Sequence, residues 1–118
     1  MGSIIVFVSS PLFTELVSLD VLKILLNKRI CSLLKVQPES VFVHLYRESV
    51  PPEVLEVFVT VQVLGFYDEL FQDNAIYEGT RNGLVETLRA WAMSHGREIG
   101  NKVRFNVILP PFPVARLG

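Results

Sequence analysis

Between Val57 and Leu64 the chain alternates, with Val57, Val59, Val61 and Val63 on one side and Phe58, Thr60, Gln62 and Leu64 on the other. A period of two with β-branched residues on the more apolar side predicts a strand. Gly65 ends that strand or lets backbone approach closely. Ile4–Val8 is a short, wholly apolar run and predicts a strand buried on both faces. Ser9, Ser10 and Pro11 break it. From about Leu19 to Leu34, Val21, Leu22, Leu25, Leu26, Cys31, Leu33 and Leu34 recur at helical spacing, opposed by Lys23, Asn27, Lys28 and Ser32. This predicts an amphipathic helix, with Ser18 as N-cap and Asp20 in the first turn.

Pro38 closes the next connection, and Ser40–Arg47 predicts a second strand. Its Val41, Val43 and Leu45 point one way, and Phe42, His44 and Tyr46 the other. Val50–Glu53, with two prolines, is a loop leading to the Val57 strand. Phe66–Asn74 carries no regular period. A second helix is predicted from about Ala75 to Ser94, with Leu84, Val85, Leu88, Trp91 and Ala92 as its core stripe. Gly79 and Gly83 weaken its first turns, and His95-Gly96 stops it. Val103–Leu109 is the fourth strand, with Arg104, Asn106 and Ile108 outward. Pro110, Pro111 and Pro113 make the tail an extended strap.

The element order is βαββαβ, two βαβ units in an α+β domain spanning residues 1–118. Right-handed crossovers with parallel flanking strands give a four-stranded mixed sheet with two helices on one face. The other face would carry Phe42, His44, Tyr46, Phe58, Thr60, Gln62, Arg104 and Asn106. That set is too apolar to stay wet and too polar for a core, so it reads as a subunit interface or a ligand site. A ferredoxin-like domain fits the same order, and periodicity does not separate the two.

Composition narrows the function classes. The 118 residues are 50% hydrophobic and 19% charged, with mean hydropathy +0.41, which suggests surface buried against other subunits. No apolar run approaches the roughly 20 residues of a membrane span. The N-terminus lacks a basic stretch, arguing against a secretory signal. Met-Gly is followed by Val6 where a myristoylation motif needs Ser or Thr. A net charge of −1 argues against nucleic acid as partner. One cysteine, Cys31, excludes an internal disulfide framework and predicts a reducing, cytoplasmic setting. Two histidines and one cysteine form no ligand spacing, and neither a phosphate loop nor a dinucleotide fingerprint is present, so no metal or cofactor is expected.

Several segments resemble the macrophage migration inhibitory factor branch of the tautomerase superfamily, over nearly the whole chain. Gly2-Ser-Ile-Ile-Val-Phe-Val followed by Ser9-Ser10-Pro11 is similar to that family's first strand and the proline after it. Pro38 and Val43-His44-Leu45 resemble its second strand, and Val61–Gly65 (VQVLG) its third. Lys102–Val107 (KVRFNV) resembles its last long strand, placing a family asparagine on Asn106.

The resemblance implies a homotrimer whose sheets wrap a central barrel, with a pocket at each subunit boundary. A small carboxylated carbonyl compound would be enolised or ketonised there. Family members use an N-terminal proline as general base, its secondary amine depressed in pKa so that it takes a proton from carbon next to a carbonyl. Gly2 stands at that position. Removal of Met1 would leave a primary α-amine, roughly a tenth of it neutral at pH 7. The chemistry is then weakened or lost, and the alternative for Gly2 is an inert terminus.

Leu64 and Gly65 match the backbone that lines the family pocket; otherwise they are a strand end. Arg104 falls on a family pocket tyrosine, where it would clamp a substrate carboxylate, or else pair outward across the trimer. Asn106 matches a pocket residue in type. The family's substrate-binding lysine falls on Val36, one position after Lys35, so that contact is absent on the strict reading. His44 reads as an interface histidine and Cys31 as helix packing. A trimer without catalysis, serving as a binding or interaction module, is the competing function.

Overall fold

A computed structural model of the chain describes residues 1–11, 19–51 and 53–113. Four strands, β1 (Gly2–Pro11), β2 (Val41–Val50), β3 (Val57–Gly65) and β4 (Val103–Ile108), form one sheet in the order β2-β1-β3-β4. β1 runs parallel to β2 and β3 parallel to β4, while the central β1/β3 pair is antiparallel. The strands flanking each crossover are therefore direct neighbours. A ferredoxin-like split βαβ interposes another strand between them, so strand order decides against that alternative.

Helices α1 (Leu19–Leu34) and α3 (Asn74–Met93) cover one face. Ile4, Val6 and Val8 of β1 and all four valines of β3 point into the core beneath them, together with Leu22, Leu26, Ile30 and Leu34 of α1. These α1 residues recur every fourth position, a narrower stripe than the spacing implied: Ile30 is central to it, whereas Val21 is exposed. From α3 come Tyr77, Leu84, Leu88, Trp91 and Ala92, with Val85 at the margin. Asp73 caps α3, its Oδ1 accepting from the Ile76 N–H at 2.8 Å. The expected Ser18 cap of α1 lies outside the described residues.

Two readings are corrected. β1 is not buried on both faces, because Phe7 is 43% exposed and Ile5 only half-buried. Among the described residues, nothing is layered on the second face of the sheet. Phe66–Asn74 is also not wholly irregular, since Tyr67–Leu70 forms one helical turn, α2. A further turn, α4 (Arg97–Gly100), leads into β4. Beyond β4 the strap is tied down by Tyr77, whose hydroxyl donates to the Pro110 carbonyl at 2.6 Å, and by Phe112 packed edge-on against Tyr77 and Phe71.

The two α3 glycines play different parts. A β-carbon on Gly79 would meet nothing, whereas one on Gly83 would lie 2.7 Å from Leu33 Cδ1, where α3 crosses α1. Gly79→Ala is expected to raise unfolding stability by about 0.5–1 kcal/mol. Gly83→Ala is expected to lower stability by about 1 kcal/mol because the Leu33 side chain must shift to admit the methyl group. Paired urea melts check the opposite signs.

Candidate functional site

Register places the open face in rows across β2, β1, β3 and β4. One row runs Phe42, Ser3, Leu64; the next His44, Ile5, Gln62, Ile108; the next Tyr46, Phe7, Thr60, Asn106; and the last Glu48, Ser9, Phe58, Arg104. Phe7 and Tyr46 stack with ring centroids 5.4 Å apart. Phe42, Tyr46, Phe58, Leu64 and Ile108 are all substantially exposed, so the face is an apolar sheet surface threaded with His44, Gln62, Thr60 and Asn106.

The five candidate residues fall into two groups. Gly2 opens β1 directly opposite Gly65, with Leu64 beside it facing Ser3. Arg104 and Asn106 stand opposite Phe58 and Thr60, toward the other end of β3. The seven residue steps from Phe58 to Gly65 correspond to roughly 24 Å, and the five from Thr60 to Gly65 to roughly 17 Å. Within the chain the two groups therefore stand apart. Arg104 is held within its own chain, its Nε 3.3 Å from Glu56 Oε2 and its guanidinium donating to the Asn101 carbonyl at 3.1 Å. Both partners of this ion pair are about half exposed, so it contributes less than about 1 kcal/mol and can open.

The Gly2 end is tightly packed. Gly65 has φ +85°, a left-handed conformation that favours glycine, and a β-carbon there would lie 2.9 Å from the Met1 carbonyl oxygen. Phe66 follows at φ +56° and is 2% exposed. That conformation costs a non-glycine residue about 1–2 kcal/mol, offset here by burying the ring, worth about 1.5–3 kcal/mol. The two turns swing the chain from β3 into α2, and the Phe66 carbonyl accepts from the Leu70 N–H at 2.8 Å. Sequence reasoning did not single out Phe66. The only local signal was its place after a glycine that ends a strand.

Lys35 is exposed at φ +60°, just past the end of α1, while Val36 packs against the core; the connection that carries them leads into Val41, the β2 residue paired with Gly2. Cys31 Sγ lies 3.6 Å from Asn27 Oδ1, and burial, with the Glu39 charge adding to it, pushes the thiol pKa up. Alkylation at pH 7.5 is accordingly expected to be slower in the folded protein than in urea, because the thiolate is the reacting species. Among the described residues no three His, Cys, Asp or Glu side chains gather as a metal site, and no helix is long and apolar enough to cross a membrane.

Comparison with solved structures bears on this geometry. A macrophage migration inhibitory factor from Toxoplasma gondii superposes with a TM-score of 0.56 at 15% identity, covering 92% of this chain and 89% of the other. The chain has the tautomerase fold. A fused 4-OT symmetric trimer matches with a TM-score of 0.55 at 18% identity, over 94% of this chain and 85% of that one. Pt0534, inactivated by 2-oxo-3-pentynoate, matches with a TM-score of 0.54 at 16% identity, over 98% and 89%. No protein-family model matches the sequence, and no curated protein does.

Proposed function

We propose that this protein is a homotrimer of the tautomerase fold, located in the cytoplasm, that binds a small carboxylated carbonyl compound where subunits meet. The separation of Gly2, Leu64 and Gly65 from Arg104 and Asn106 along β3 carries the reading, because a second copy is needed to bring one group to the other. The apolar open face supports self-association, as does the trimeric state of the fused 4-OT neighbour. The 2-oxo acid skeleton of the Pt0534 inactivator supports the substrate class.

In this arrangement the Gly2 α-amine of one subunit, freed of Met1, carries the proton between carbon and oxygen of an enol or keto form. Arg104 of another releases Glu56 to hold the substrate carboxylate, and Asn106 donates to a substrate oxygen. A primary amine with a reference pKa near 7.7–8.0 is mostly protonated at pH 7, so turnover is slow and rises as pH approaches that range. A second reading, a trimer that binds without catalysis, is favoured by the close packing around Gly2.

Ketonisation of an enol 2-oxo acid by protein beginning at Gly2, followed spectrophotometrically, separates the two. Arg104→Ala is expected to lower kcat/KM by about tenfold to a hundredfold, the worth of a hydrogen bond to a charged group. Binding without turnover, weakened by the same substitution, would select the second reading. Turnover and binding both indifferent to Arg104 would overturn the assignment of the pocket.

A further inference from the structure

The contact between the first residue of β1 and the residue after β3 sets a rule for what position 2 can be. A β-carbon built on Gly2 would overlap Cδ2 and Cε2 of the Phe66 ring and stand 2.6 Å from the Leu64 carbonyl oxygen. Phe66 is not free to yield. It is among the largest fully buried side chains, and its backbone sits in the left-handed region between the Gly65 turn and α2. Across the ladder, Gly65 is constrained in the same way by the Met1 carbonyl and the Gly2 Cα, 3.0 Å from its own would-be β-carbon. Two strands thus close against each other through glycine on both sides, and an aromatic ring fills the space a residue-2 side chain would use.

We propose that Phe66 is the positioning residue of the amine-bearing end of the site: its ring reserves position 2 for glycine and excludes a proline there. Glycine at residue 2 and phenylalanine at residue 66 form one steric unit, so the amine chemistry of this protein changes only when both are exchanged. The inference rests on the proposed pocket only for its consequence in catalysis; the steric coupling stands apart from it.

The test is a double-mutant cycle read by two methods. Gly2→Ala is expected to lower the urea midpoint by about 1 M, an overpacking penalty divided by a small-domain denaturant slope. In a Phe66→Ala background, the part of that shift that the ring imposes should disappear, leaving the part that the Leu64 carbonyl imposes. Equal shifts in both backgrounds would overturn the proposal, and Phe66→Leu guards against a Phe66→Ala protein that folds poorly.

The second readout is ketonisation of an enol 2-oxo acid after Met1 removal. Gly2→Pro with Phe66→Ala is expected to turn over at least about tenfold faster than Gly2→Pro alone. Full activity of Gly2→Pro with Phe66 intact would also overturn the proposal. Stability coupling without any gain in turnover would uphold the steric unit and count instead against the catalytic reading of the pocket.

Discussion

Phe7→Asp is expected to reduce the solution mass from that of the proposed trimer to that of a single chain, which stays folded. Phe7 lies near the centre of the open face, between Tyr46 on β2 and Thr60 on β3. In an isolated subunit its ring is 43% exposed, so substitution forfeits mainly the stacking on Tyr46, about 0.5–1.5 kcal/mol. In an assembly closed over this face, the same carboxylate would be desolvated among Phe7 neighbours such as Ile5 and Phe58, with no cation in its row. An unpaired buried charge costs several kcal/mol at each interface, enough to dissociate subunits at micromolar concentration. Light scattering on parent and variant decides it. A parent that is already monomeric, or a variant that keeps the parent mass, would remove the open face as the association surface and with it the shared pocket.

Trp91→Ala carries the largest expected effect on the fold itself. The indole is 2% exposed on the inner side of α3 and meets the His95 ring edge-on at 5.2 Å centroid separation. His95 Nδ1 also lies 2.9 Å from the Trp91 carbonyl oxygen, joining this position to the helix end before Gly96. Removal should cost about 3–5 kcal/mol from lost transfer energy and the cavity left behind. That is a large share of the roughly 5–15 kcal/mol typical of a domain. Cooperative urea unfolding should therefore begin at much lower denaturant, with weakened docking of α4 and β4. A loss below about 1 kcal/mol would mean the core collapses around the gap and that this end of α3 contributes little.

Much of the architecture was legible because its determinants are local. Period-two valines made β3 visible, and the α1 boundaries Leu19–Leu34 agree between pattern and structure. The alternation in β4 correctly set Arg104, Asn106 and Ile108 outward. Where the reading failed, a neighbouring layer was responsible. The apolar run Ile4–Val8 suggested burial on both faces, yet Phe7 is exposed because the described helices α1 and α3 cover the other side of the sheet. Gly83 looked like a weak helix residue and is instead the crossing point with α1, which only the position of Leu33 reveals.

The candidate site divides along the same line. The sequence by itself determined the inventory: a glycine at residue 2, a strand ending in Leu64-Gly65, and an arginine and asparagine two apart on the last strand. Residue identity and strand period are properties of the chain alone. Only the tertiary structure decided that β1 lies between β2 and β3, that Arg104 pairs with Glu56, and that Arg104 and Asn106 stand opposite the first half of β3, away from Leu64 and Gly65. It also decided that Phe66, unmarked in any motif, closes the space beside Gly2. Strand order, register and close approach are set by how distant segments pack, and no local pattern of residues encodes the atoms that will meet there.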